Sequence, residues 1–137
     1  MELLGSRFVA HPPNMSIKVK VNDKSHPITK DLNDFEIFDE PYYCEFSDGI
    51  KVLLESRYTD DADAYVNSLW KEDIPRPQMY LHKVGKGGVL YLMLGHCRGK
   101  YDMRPFMDEC PVDRGGWDSE VFYELLRRGI KWGINKI

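Results

Sequence analysis

His96 is the residue that type and position best equip for chemistry, because it closes the pair Gly95-His96 directly after the uncharged run Val89-Leu90-Tyr91-Leu92-Met93-Leu94. Imidazole titrates near neutral pH and has two distinct nitrogens. It can therefore act as a general acid or base, ligate a metal, or hydrogen-bond a carbonyl or hydroxyl. The competing assignment is a histidine that only ties down its own loop. Glu40 is the second candidate, beside Asp39 and followed by Tyr42 and Tyr43. A carboxylate there can serve as a base or orient a histidine, and tyrosine hydroxyls can bind sugar hydroxyls. An acidic pair of this kind can equally be a surface turn. His11 and His26 each precede proline, which biases their backbone toward extended conformations. His11 could face a crevice or cover a sheet edge, His26 reads as structural, and His82 reads as surface or packing.

The stretch between Cys97 and Trp117 is about twenty residues long, a length usually reserved for functional or disordered loops. It offers Arg98, Tyr101, Asp102, Arg104, Asp113 and Arg114, groups that could close over a polar ligand such as a sugar, with Arg104 and Trp117 as contacts. The alternative is a solvated loop that Trp117 anchors to the core. His96, His11, His26 and Glu40 could ligate a metal, but their spacing fits no local zinc motif, so no metal site or other cofactor is expected. An ion held through His96 is the one option left open. Cys97 adjoins His96, yet neighbours on extended backbone point to opposite sides, so His96 is poorly placed to deprotonate it.

Elements must bring these residues together. The run from Val89 to Leu94 reads as a strand buried on both faces, which would place His96 at its carboxyl end, where open α/β sheets form their ligand crevices. Met79 to Val84 is expected to pair with it across Gly85-Lys86-Gly87-Gly88 as a hairpin. Ile17, Val19 and Val21 alternate with Lys18 and Lys20 as a half-exposed strand, Phe35 to Phe38 reads as a short strand, and Ile50 to Ser56 as a core strand. Asp39-Glu40-Pro41 then opens a loop carrying Tyr42 and Tyr43. Ile28 to Leu32 suggests a helical turn, and Asp60 to Asp63 an acidic segment before a short helix ending at Trp70. Pro75 and Pro77 argue against regular structure around them. An amphipathic helix follows from an Asp118 cap to Gly133, with Phe122, Leu125, Leu126, Gly129 and Ile130 on one stripe and Arg127, Arg128 and Lys131 near its end.

Gly88-Val89-Leu90-Tyr91 leading into Leu94-Gly95-His96, then Phe122 and Leu125 to Trp132, resembles the end of trehalose-utilisation (ThuA-like) domains. His11-Pro12-Pro13, Val19 to Asp23, His26-Pro27-Ile28, Leu32, Asp34-Phe35 and Asp39-Glu40 with Tyr42 and Tyr43 occur in the order that this family shows. The resemblance implies an α/β fold, a flavodoxin-like three-layer sandwich similar to class I glutamine amidotransferases. It also implies that residues 1–137 form one ThuA-like domain corresponding to the family's C-terminal portion, without its strand-helix-strand first half. The amidotransferases carry a cysteine nucleophile in that half and a His-x-Glu pair near the end, where this chain has His96-Cys97-Arg98. Glutamine hydrolysis is therefore not expected.

Composition narrows the field further. The 137 residues suit one domain able to bury roughly two-thirds of its unfolded surface. With 19 basic and 22 acidic residues the net charge is −3, and the charges are mixed along the chain, which argues against nucleic acid as a partner. No apolar run approaches the length of a membrane span and the first residues do not read as a signal peptide, so a cytoplasmic protein away from membranes is expected. The three cysteines, Cys44, Cys97 and Cys110, contain no CxxC pair and fit reduced thiols.

Two function classes remain. The first is an enzyme or enzyme domain of carbohydrate metabolism acting on a sugar or oxidised sugar, with His96 and Glu40 as catalytic residues and Tyr42, Tyr43, His11, Arg104 and Trp117 as substrate contacts. The second is a non-catalytic binding or interaction module, a fragment of a larger ThuA-like domain. If strands meant to be covered on both faces lack cover, self-association as a homo-oligomer is expected.

Overall fold

Alternation along β2 (Met15–Val21) has the consequence that its residue types require: Ile17, Val19 and Val21 are buried while Lys18 and Lys20 are exposed. The computed structural model describes residues 2–59 and 72–137. The remaining strands are β1 (Ser6–Ala10), β3 (Phe35–Asp39), β4 (Tyr43–Phe46), β5 (Lys51–Ser56), β6 (Arg76–Val84) and β7 (Gly87–Leu92). A 3-10 turn, Gly115–Asp118, precedes helix α1 (Glu120–Gly133). The acidic segment and short helix expected up to Trp70 lie outside the described residues.

Five strands form one sheet in the order β3-β2-β5-β6-β7, and β1 pairs with β4 in a separate ribbon. Every pairing described is antiparallel. The mixture of sheet and helix is as expected, but the run from Val89 to Leu94 does not form a strand buried on both faces. β7 corrects that reading directly. It is partly exposed, pairs with β6, and stands at the end of the strand order, while Met93 and Leu94 are buried just beyond it. A continuous apolar run arises here because the faces of β7 meet different covers. Leu90 and Leu92 turn toward α1, whereas Tyr91 stacks on Tyr80 at 5.4 Å on the side of the β1-β4 ribbon.

The β6-β7 hairpin turns at Gly85-Lys86, with Val84 opposite Gly87, and Gly85 has the positive φ of +57° that such a turn needs. Pro77 lies inside β6, contrary to expectation. It sits opposite Glu55 beside an irregularity in the ladder at Leu54 and Glu55, where a missing N–H is tolerated. Tyr43 begins a strand rather than occupying a loop. His26 accepts from the Ile28 amide through Nδ1, and its carbonyl accepts from Thr29 and Lys30, which gives it the structural place expected in the turn at 26–32.

Helix α1 starts one residue later than Asp118 suggested, with Ser119 as its N-cap. Asp118 belongs to the 3-10 turn and receives the Arg114 guanidinium instead. Phe122 and Leu125 are buried and Leu126 packs partly against them, whereas Ile130, expected on the same stripe, is 66% exposed. Burying a side chain such as Phe122 or Leu125 contributes about 1.5–3 kcal/mol, so these two residues fasten the helix to the sheet. Gly129 permits close approach, since a Cβ there would stand 2.9 Å from Leu90. No described helix is long and apolar enough to cross a membrane.

Candidate functional site

β3 carries its inward residues at alternate positions, so Asp39 falls on the same face as Ile37 and enters the interior with no exposed surface. The next residue, Glu40, is also buried at 3% exposure, which overturns the reading of this acidic pair as a surface turn. Pro41 comes next, and the Tyr58 hydroxyl donates to the Tyr42 carbonyl at 2.6 Å, fixing Tyr42 between the two sheets.

Glu40 is the hub. Its Oε2 lies 3.2 Å from His11 Nδ1 and 3.4 Å from an Arg98 guanidinium nitrogen, and its Oε1 lies 3.3 Å from His96 Nδ1. His11 Nδ1 is also 2.9 Å from the Pro12 carbonyl, which only accepts, so this nitrogen carries a proton. The approach of His96 Nδ1 to Glu40 lies outside hydrogen-bond geometry, and among the described residues that buried nitrogen has no hydrogen-bond partner. Burial pushes the Glu40 carboxyl above its ordinary range, against the opposing pull of His11, His96 and Arg98. An imidazole and a carboxylate 3.3 Å apart can share a proton once a bound ligand brings them into line, since catalytic hydrogen bonds often tighten only in the complex.

These groups form one end of a cavity of about 440 Å³ lined by Leu4, Ser6, Phe8, His11, Glu40, Tyr42, Cys44, Tyr91 and His96. Its aromatic wall is continuous: Phe8 meets Tyr42 edge-on at 5.1 Å, and Tyr42 meets His96 at 6.1 Å. The Tyr42 hydroxyl is pushed up to about 12, chiefly by burial and then by Glu40, so it stays protonated and able to donate. Burial likewise pushes the Cys44 thiol up to about 11, which removes it as a nucleophile at neutral pH. Among the described residues, no cluster of three or more His, Cys, Asp or Glu side chains is arranged to hold a metal ion.

The structure thus brings His96, Glu40, His11 and Tyr42 to one cavity and leaves three expected contacts out of it. Tyr43 is fully buried on the other side of the chain, packed on Tyr58 at 5.5 Å with the Arg76 guanidinium over its ring, because strand alternation turns it away from Tyr42. Arg104 lies on an exposed tip, donates to the Asp108 carbonyl and covers Tyr101. The long loop is closed at its neck by reciprocal Arg98 and Asp113 backbone bonds, so only Arg98 is held beside Glu40 while the tip projects away. Trp117 is the anchor: its indole donates to the Gly95 carbonyl at 2.7 Å and its ring packs edge-on against Phe122 at 4.9 Å.

Two substitutions separate these placements. Trp117→Phe is expected to lower stability by about 1 kcal/mol through the lost hydrogen bond, while Arg104→Ala is expected to stay within about 0.5 kcal/mol. Thermal melts of both variants check this, and an Arg104 effect as large as that of Trp117 would contradict it.

Phe8, Tyr91 and Asp39 also belong to the site, although residue type and spacing did not single them out. Arg98, one of the loop groups expected to meet a polar ligand, lies beside Glu40. β1, which carries Phe8, has no alternating pattern, so nothing in the sequence marks it as a wall. Tyr91 is hidden inside an apolar run. Asp39 does carry a signal, since it shares parity with the apolar positions Phe35 and Ile37 of its strand.

Comparison with known proteins bears on this arrangement. A solved structure of a ThuA-like protein from Parabacteroides merdae superposes on it with a TM-score of 0.63 at 21% identity, over 93% of this chain and 40% of that protein. The fold is therefore shared, and the chain spans about two-fifths of that relative's length. No curated protein matches the sequence. The family model described as trehalose utilisation, ThuA, matches residues 1–110. Since that match covers most of the chain, the protein belongs to the ThuA trehalose-utilisation family.

Proposed function

We propose that this chain binds and transforms a sugar or oxidised sugar in the cavity between β7 and the β1-β4 ribbon, with Glu40 and His96 exchanging the proton. The observation that carries the proposal is a buried carboxylate within 3.2–3.3 Å of two imidazole nitrogens at the end of an aromatic-walled cavity. Aromatic faces suit the apolar faces of a pyranose, and Tyr42 and His11 supply polar contacts to its hydroxyls. Glu40 acts as the base, His96 carries or returns the proton, and Arg98 steadies the charge left on Glu40. In this proposal the flavodoxin-like sandwich is an architecture of the family's longer members, to which a segment of this kind would contribute its antiparallel strands and α1.

Incubation with a panel of disaccharides and 3-keto sugars, followed by NMR, tests the proposal. Consumption of at least one sugar is expected, with Glu40→Gln and His96→Ala each slowing it by about 10²–10⁴-fold. A rise in melting temperature without consumption would favour the binding module instead. Neither consumption nor a shift with any sugar would overturn the sugar reading.

A further inference from the structure

We propose that Asp39, which does not line the cavity, is the positioning residue of this site: a single buried carboxylate clasps the two chain segments that carry Glu40 and His96. This rests on the reading of those two residues as the reacting pair. One oxygen of Asp39 accepts from the Glu40 amide at 2.8 Å and the His96 amide at 3.1 Å, and the other accepts from the Gly95 amide at 2.6 Å. The clasp matters because of topology. Glu40 lies just past the end of β3 and His96 just past the end of β7, and these two strands stand at opposite ends of the strand order. No ladder of the sheet therefore sets the separation of Glu40 and His96, and the sheet must curl until its two ends meet. Where they meet, the backbone amides of Gly95 and His96 bond to Asp39, and the Arg98 guanidinium reaches Glu40 at the longer distance of 3.4 Å.

The surroundings are built for that carboxylate. Gly115 and Gly116 pack against it, and a Cβ on Gly116 would lie 2.7 Å from the second oxygen. A glutamate, longer by one methylene, has no room in this cradle. Asparagine would fit by shape, but its amide nitrogen would face an N–H donor in place of an acceptor. Trp117 holds the Gly95 carbonyl from the other side, so the peptide preceding His96 is fixed at both its polar ends. Burial also raises the Asp39 carboxyl, with the three N–H donors opposing it, as expected for a charge kept inside by backbone bonds.

The test uses the full chain and a long-range ¹H–¹⁵N spectrum of the His96 ring, which needs no substrate. In otherwise unaltered protein, Glu40→Gln should shift the His96 ring signals. In an Asp39→Asn background the same Glu40→Gln change should leave them nearly unmoved, because the two residues no longer hold their separation. Gly116→Ala, which displaces the carboxylate without removing it, should give the same uncoupling. If Asp39→Asn does not fold, the Glu40→Gln protein supplies the measurement: on acid titration, the amide protons of Gly95, His96 and residue 40 should move together with one midpoint. Where a sugar is turned over, Asp39→Asn should lower kcat by about 100-fold with KM little changed. A folded Asp39→Asn protein in which His96 still responds fully to Glu40→Gln, or three amides with three separate midpoints, would overturn the proposal. Absence of turnover on every sugar would sink the catalytic reading of Glu40 and His96 and leave the spectroscopic result standing.

Discussion

Gly95→Ala is expected to lower the stability of the protein by about 2–5 kcal/mol, the sum of a strained backbone and an overfilled core. Gly95 has φ of +99°, a conformation that L side chains rarely adopt, and a Cβ there would come 2.3 Å from the Phe122 ring. That ring is 2% exposed and wedged against Trp117, so it has nowhere to go. The same residue donates to Asp39 and accepts from Trp117, so any relief obtained by moving the backbone breaks bonds that place His96. For a chain of this size the loss corresponds to a fall in melting temperature of roughly 10–20 °C. Paired melts at one pH check this. Gly49→Ala is a useful companion, because Gly49 also has positive φ but nothing stands within 4 Å of its Cβ position, so it isolates the backbone term. If the two variants lose equal stability, the steric part of the argument is wrong.

The same glycine shows what could be read in advance. Gly95-His96 after an apolar run marks the end of a strand, and His96 does lie just past β7, in the cavity that Glu40 and Tyr42 share. Strong local signals fared well for a physical reason: β2, the β6-β7 hairpin and most of α1 are specified by alternation, by glycine turns and by a helical stripe, all of which act over a few residues. The global arrangement is not specified that way. An uninterrupted run such as Val89 to Leu94 reports that apolar surface surrounds the strand without saying whether that surface is helix on both faces or, as here, a helix on one and a ribbon on the other. The same gap explains Tyr43 and Arg104. Their residue types suited a sugar, but their directions depend on the strand parity of β4 and on the backbone pairing of Arg98 with Asp113, and neither can be read from composition.

Glu40→Gln, a change expected to slow turnover, is also expected to make the protein more stable near neutral pH. Burial raises the folded-state pKa of Glu40 above its ordinary value of about 4.5, despite the attraction of His11, His96 and Arg98. The folded protein therefore holds that proton more tightly than the unfolded chain does. Stability must then fall as pH rises from the unfolded value through the folded one, and the full penalty is present above the folded pKa. Glutamine carries no such penalty at any pH. The difference in melting temperature between variant and parent should accordingly be small below about pH 4, open through the acid range as pH rises, and level off once Glu40 is ionised in the folded state. Melts of both proteins across that range, with His96→Ala as a second pair, supply the measurement. A variant that melts below the parent, by a margin widening with pH, would show that the ionised carboxylate is held in net favour by the two histidines and Arg98. It would then be a structural ion pair, and its place beside His96 would need no catalytic explanation. A gap of the expected sign means that the fold tolerates a buried carboxylate at a loss of stability, which is the usual mark of a group retained for chemistry.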